Sequence, residues 1–340
     1  MNVAITYNIK KKETLTENLP PDFYAEWDDD ETIDAIRDAV SKRHEVVLIE
    51  ADKEGYQKLV KEKPDMVFNI AEGINGRNRE SHIPAMLEML GIPYTGSGPL
   101  TLGICLDKAR AKEILSYYNI PTARFFVSHS ALSAQHSALS FPLIVKPLYE
   151  GSSKGIRNDS IVYNIDDLNK KTEWVINEYR QPALVEEFLD GREFTVAVMG
   201  NGDEVNCLPI VEINYSTLPE GVNPIYSYEA KWLWDTPDNP LEIFTCPAQI
   251  EAELTQRIEE ICKRAFQVLD IKDWCRIDIR LDGKGTPHIL ELNPLPGILP
   301  DPKSNSCFPK AARAAGMDYN RLINTVLDIA CKRYGIYGNR

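Results

Sequence analysis

The chain has 340 residues, 43% apolar and 26% charged, the profile of a soluble globular protein of two or three domains with a sizeable core. No run approaches the roughly 18 apolar residues of a membrane span. The 38 basic and 51 acidic residues leave a net charge of −13, which argues against nucleic-acid and anionic-membrane partners. The first residues run from a strand-like stretch straight into charge with no apolar signal core. Seven singly placed cysteines suit free thiols in a reducing cytoplasm.

Strand-like and helix-like runs alternate at the start. Val3–Tyr7, Val46–Glu50 and Met66–Ile70 read as buried strands, with helix patterns at Glu31–Arg43 and Glu54–Lys63 between them. Apolar Ile33, Ile36 and Val40 stand at helical spacing. This alternation predicts an α/β unit with a parallel sheet. The loop-like stretch from Ile92 to Pro99 marks a first boundary. A helix pattern over Asp107–Tyr118 follows, then strands at Arg124–Val127 and Leu143–Lys146, separated by the polar, Ser-rich Ser128–Ser140. The remainder predicts strands at Ala183–Phe188, Glu193–Met199, Leu208–Ile213, Cys275–Leu281 and His288–Leu292, and helices at Ile250–Val268 and Asp318–Lys332. Asp282-Gly283-Lys284-Gly285 reads as a hairpin turn.

Two constellations carry chemistry. The Walker pattern is absent, and Gly96-Ser97-Gly98 is followed by a glycine, Gly103, two residues too late for a dinucleotide fingerprint and lies outside a strand-to-helix turn. Glu150-Gly151-Ser152-Ser153-Lys154-Gly155 directly follows a strand. Its small residues let backbone N–H groups close on phosphate oxygens, or it is a surface turn. The second constellation is acidic. A period of two puts Arg276, Asp278 and Arg280 on one strand face, and Glu291 and Asn293 on another. Paired by the Asp282–Gly285 turn, they present hard oxygen ligands suited to Mg²⁺, or a solvated face laced with salt bridges. The strand ends abruptly at Asn293-Pro294-Leu295-Pro296-Gly297.

Lys146 before the Gly/Ser loop, Arg-x-Asp at 276–278 and Glu-x-Asn at 291–293 resemble an ATP-grasp ligase. Tyr94-Thr95-Gly96-Ser97-Gly98, Asp107-Lys108, Glu193-Phe194-Thr195-Val196 and Tyr228-Glu229-Ala230-Lys231 narrow the resemblance to the D-alanine–D-alanine ligase family, from about Tyr94 to the C-terminus. The resemblance implies an ATP-grasp fold of three domains, 1–98, 99–182 and 183–340, with ATP between the sheets of the last two. By the same resemblance, Lys108, Lys146 and Lys231 contact the ATP phosphates under the Ser152-Ser153 loop. Glu186 binds the adenine amino group, Phe188 lines the base pocket and Glu193 holds the ribose. Asp278, Glu291 and Asn293 carry two Mg²⁺ ions, for which Mn²⁺ can substitute. Arg276 and the Gly297 N–H stabilise an oxyanion. The implied reaction joins two amino-acid substrates through an acyl phosphate, in a cytoplasmic homodimer.

The departures lie where the amino acids would bind. The family's N-terminal Gly-Gly-x-Ser-x-Glu stretch is missing. In its place stand Tyr7–Lys12 and the acidic run Glu26–Glu31. That run is either a substitute ammonium site or a helix start capped by Asp30. Asn69–Gly73 replaces the histidine loop. Trp232 stands where the ligases carry a tyrosine that bonds the serine equivalent to Ser152, and indole N–H only donates. The stretch 298–305 is longer than its counterpart before Ser306-Cys307, which would meet the second substrate. The readings are therefore a D-alanine–D-alanine ligase, a ligase for another amino-acid pair, or a protein that holds ATP without ligation.

Overall fold

The computed structural model describes residues 1–11, 20–131, 138–235 and 241–336, apart from the Trp232 side chain. The chain starts with β1 (Asn2–Tyr7), α1 (Asp30–Ser41), β2 (Glu45–Glu50), α2 (Gly55–Glu62) and β3 (Met66–Asn69). The three strands form a parallel sheet in the order β2-β1-β3, as the alternating pattern predicts. Helix α1 buries Ile33, Ile36, Ala39 and Val40, the stripe expected of its spacing. Its cap differs by one residue from the expectation. The carboxylate of Asp29, not Asp30, accepts from Thr32 N at 3.0 Å, while Asp30 and Glu31 occupy the first turn.

Two helices missing from the sequence reading follow, α3 (His82–Leu90) and α4 (Pro99–Leu106). Both are nearly all apolar, so they lack the periodic contrast that reveals a helix. Tyr94 makes a parallel bridge with Val67, and Pro99 occupies the first turn of α4. The Gly96–Gly98 loop thus does lie between strand-like backbone and a helix, contrary to expectation. Its Gly96 N–H is committed to Asp273 Oδ2 at 2.8 Å.

Next come α5 (Lys108–Tyr117), β4 (Phe125–Ser128), β5 (Leu143–Pro147), β6 (Ile161–Val162), α6 (Ile165–Tyr179) and β7 (Ala183–Glu187). Their strands form an antiparallel sheet ordered β4-β7-β5-β6. Helix α6, also unread, buries Leu168, Lys171, Thr172, Val175 and Tyr179; polar residues at core-facing positions blurred its stripe. The middle of the Ser128–Ser140 stretch, 132–137, lies outside the described residues.

The last part contains β8 (Glu193–Met199), β9 (Asn206–Cys207), β10 (Val211–Ile213), β11 (Phe244–Thr245), α7 (Ala252–Val268), β12 (Trp274–Leu281), β13 (Pro287–Asn293), α8 (Cys307–Ala314) and α9 (Tyr319–Arg333). The antiparallel sheet runs β11-β10-β8-β12-β13, with β9 on β8. The predicted hairpin turn is present: Asp282 Oδ1 accepts from Lys284 N and Thr286 N, each at 2.8 Å. Helix α9 packs against α1, and α8 against α9, β8 and β10, so Val3, Ile5 and Phe68 share one core with Trp274, Phe308, Leu322 and Leu327. Asp273, fully buried, clamps this arrangement. It accepts from Arg333 at 2.7 Å, from Asn201 at 2.7 Å and from Gly96 N. The seven cysteines are free thiols. Among the described residues, no helix is long and apolar enough to cross a membrane.

Candidate active site

The register of the third sheet builds the centre of the site. Across β12 and β13, Asp278 stands opposite Glu291 and Arg276 opposite Asn293, while Thr195 of β8 stands opposite Asp278. Period-two alternation therefore delivers four predicted residues to one face, as the sequence reading expects. Arg276 donates to both Asp278 oxygens at 3.0 Å, and Thr195 Oγ1 donates to Oδ1 at 2.7 Å. Asn293 Nδ2 reaches Asp278 at 3.3 Å and Glu291 at 3.4 Å. Lys108, the first residue of α5, comes within 3.4 Å of Glu291 and donates to the Glu150 carbonyl.

Burial drives the Asp278 carboxyl upward, and Glu291 adds to it. Burial pushes Glu291 the same way, but Lys108, Lys146 and Arg276 outweigh it and hold that carboxyl down at about 2. Two half-buried carboxylates facing each other across a ladder are mutually repulsive unless cations share the space. With the oxygen of the Asn293 amide, they make a hard donor set that fits Mg²⁺.

A second charged cluster lies further along the cavity. Glu186 on β7 is 1% exposed, and Lys112 and Lys146 reach its two oxygens at 2.7 and 2.6 Å. Burial pushes its carboxyl up, but the two ammonium groups overrule this and leave it below the ordinary glutamate value. Lys112 escaped the sequence reading, although it lies four residues after Lys108, on the same face of α5. Phe188 stacks under the Arg280 guanidinium at 4.6 Å. Glu193 accepts from Arg280 at 2.8 Å, and burial nevertheless raises its carboxyl. Lys231 lines the same cavity. Burial, reinforced by Arg276, lowers its ammonium to about 8.

The Gly/Ser loop closes one side. Ser152 and Ser153 both adopt left-handed backbone, with φ of 51° and 61°, and Ser153 Oγ donates to Tyr226 O at 2.8 Å. Glu26 of the acidic run meets this loop. It accepts from Gly151 N at 2.7 Å, from Arg79 at 2.7 Å and from Lys154 at 2.8 Å. The helix-start reading of the acidic run is borne out, with Asp29 as the cap of α1, while Glu26 is taken up by Arg79, Lys154 and the Gly151 N–H of this chain. Arg79 and Lys154 hold the Glu26 carboxyl well below its usual range against the burial that raises it. Arg79 was not singled out in the sequence, because its partners are 53 and 71 residues away.

The predicted second-substrate residues adjoin the centre. Ser306 Oγ donates to Gly297 O at 3.2 Å and accepts from Leu299 N at 3.2 Å; Cys307 and Gly297 line the main cavity with it. Trp232 lies in a π-helical turn, Ala230–Trp234, but its side chain is outside the described residues, as is 236–240 of the 219–240 segment. The replaced histidine loop supplies Glu72, and the turn before α3 supplies Glu80. Both line a smaller cavity with Lys108, Arg276 and Glu291.

Comparison with known proteins agrees with this architecture. The profile described as "D-ala D-ala ligase C-terminus" matches residues 113–328. The protein y4sG of Sinorhizobium fredii is 39% identical over 304 residues, 87% of this chain and 85% of its own. The D-alanine–D-alanine ligase of Bordetella avium is 34% identical over 76% of this chain and 77% of its own, and that of Pelotomaculum thermopropionicum 31% over 87% and 89%. Among solved structures, D-alanine–D-alanine ligase from Bacillus anthracis has a TM-score of 0.74 at 24% identity, covering 98% of this chain and 99% of that one. The fold is thus the ATP-grasp arrangement that the paired strands and flanking loop suggest, and the chain belongs to the D-alanine–D-alanine ligase family.

Proposed function

We propose that the protein is an ATP-dependent ligase that joins the carboxylate of one amino-acid substrate to the amine of another. The observation that carries this reading is Arg276, Asp278, Glu291 and Asn293 converging on one sheet face, with Gly297 at the strand exit. A carboxylate oxygen of the first substrate attacks the γ-phosphorus of ATP and ADP departs, leaving an acyl phosphate. The amine of the second substrate attacks the acyl carbon, loses a proton, and phosphate leaves. Lys108, Lys146 and Lys231 position the phosphates, with Lys112 and Glu186 fixing Lys146. Ser152 and Ser153 cover the phosphates and exclude water from the acyl phosphate. Phe188 borders the base, beside Glu186, and Glu193 the ribose. Arg276 and the Gly297 N–H face the oxyanion of the tetrahedral intermediate. Asp278, Glu291 and Asn293 would hold Mg²⁺, which supplies charge neutralisation at the phosphates when bound.

Units 1–98, 99–182 and 183–340, a homodimer and a cytoplasmic location complete this reading. A substrate pair other than two D-alanines is supported by Glu72 in the loop that replaces the histidine loop. Against a protein that only binds ATP stands the half-buried Arg276, a cation at the position where an oxyanion would form. The test is ADP release with Mg²⁺ and pairs of D- and L-amino acids, followed by mass spectrometry of the products. Amide product together with ADP supports the reading; no ADP from any pair, with Arg276→Ala indistinguishable from the parent, sinks it.

A further inference from the structure

Two cavities meet at the reaction centre. The larger runs from Phe188 and Glu186 past Lys231 to Ser306. The smaller opens from Arg276, Glu291 and Gly297 toward Glu72 and Glu80. With the nucleotide in the larger cavity, the smaller one is a side lobe beginning at the metal face. That is where the carboxylate to be phosphorylated must lie.

The charges around this lobe do not balance. Arg79 and Lys154 are committed to Glu26 and Glu150. Lys108 pairs with Glu291, and Arg276 with Asp278. Lys231 lines the lobe near Arg276 and Glu291. Glu72 and Glu80 are left over. Glu80 is only 9% exposed, and among the described residues no hydrogen bond or ion pair reaches either carboxylate. Burial is the largest cause raising both carboxyls; at Glu72, Glu80 and Glu26 add to it and Arg79 opposes, and at Glu80, Glu26 adds to it while Arg79, Lys108 and Lys154 oppose. A cavity lined by two carboxylates that have no ion pair among the described residues is complementary to two positive charges. A single α-ammonium satisfies one of them and leaves the other buried without a partner.

We propose, building on the ligase reading, that this lobe receives the acyl donor and that the donor is an amino acid with a cationic side chain. Its carboxylate faces Lys108 and Arg276, while its α-ammonium and side-chain cation face Glu72 and Glu80. Removing one partner of a buried charged contact costs roughly 10- to 100-fold in kcat/KM.

The experiment measures ADP formation with D- and L-2,3-diaminopropionate, ornithine, lysine and arginine against alanine as donors, with alanine as the common acceptor. Mass spectrometry identifies which carboxyl is acylated. The proposal expects at least one diamino acid or arginine to exceed alanine as donor. It also expects Glu80→Gln and Glu72→Gln each to lower the kcat/KM ratio of that donor over alanine by roughly 10- to 100-fold. Binding of ADP with Mg²⁺, measured by calorimetry, reports folding of the variants. Alanine equal to or better than every cationic donor, or an unchanged ratio in both variants, overturns the proposal while leaving the ligase reading standing. No ADP from any pair overturns both.

Discussion

The nucleotide end and the side lobe both bury glutamates, and they meet the cost of burial in opposite ways. Glu186 has two lysines at hydrogen-bonding distance, one for each oxygen, so its carboxyl lies below the ordinary value despite near-complete burial. Glu80, 9% exposed, has no ion pair of its own among the described residues, and burial, the largest cause, raises its carboxyl to about 7 against Arg79, Lys108 and Lys154. What separates them is the supply of opposite charge, not depth. One end is compensated by ammonium groups of the chain itself; the other has no ion pair among the described residues, and there burial prevails.

The largest expected effect lies at the compensated end. Lys112→Met leaves Glu186 with half its counter-charge in a buried site, where breaking an ion pair costs about 3–5 kcal/mol. Urea unfolding should show that loss, and an unchanged midpoint would mean that water already solvates Glu186. Arg276→Ala should lower turnover by about 10²- to 10³-fold, the usual cost of losing one oxyanion donor, with nucleotide binding by calorimetry preserved.

At the lobe, stability should move the other way. Glu80 keeps its proton up to about 7 in the folded protein, against 4.5 for an ordinary glutamate. The unfolded chain therefore releases that proton earlier, and the folded state loses relative stability as pH rises from 4.5 to 7. Glu80→Gln should then stabilise the ligand-free protein above pH 7, on the order of 1–3 kcal/mol, with no difference below pH ~4.5. Glu186→Gln should show the reverse: its carboxylate stabilises above the ordinary value and the contribution fades as pH falls through the depressed one. Parallel urea titrations at pH 4 and pH 8 separate the two glutamates.

The smallest effect concerns Lys231. Its ammonium, lowered to about 8 by burial and by Arg276, is charged below that pH and neutral above it. ATP affinity should weaken roughly three- to tenfold between pH 7 and pH 9, the value of about one screened charge contact. Lys231→Arg, which stays charged, should flatten that profile in calorimetry.

Much of the candidate site's polar face was legible in advance because it rests on local rules. A period of two and a four-residue turn suffice to place Arg276, Asp278, Glu291 and Asn293 together. Val3–Tyr7 and its neighbouring strands were legible because buried parallel strands read as apolar runs. Helices α3 and α4 were not, since an all-apolar helix has no polar face to set its period. The role of Glu26 was half legible: an acidic run announces a helix start, but nothing local announces that its first residue reaches a loop 125 positions away.

Composition, periodicity and turn chemistry by themselves determined an acidic α/β protein with a paired-strand carboxylate face and a Gly/Ser loop after a strand. These depend on residues a few positions apart, whose geometry the backbone dictates. Tertiary structure alone decided which charges are compensated. It gave Glu186 to Lys112 and Lys146, gave Glu26 to Arg79 and Lys154, and among the described residues left Glu72 and Glu80 without an ion pair. Coulombic pairing and desolvation depend on distance through space and on burial, and neither quantity is written in the order of the residues.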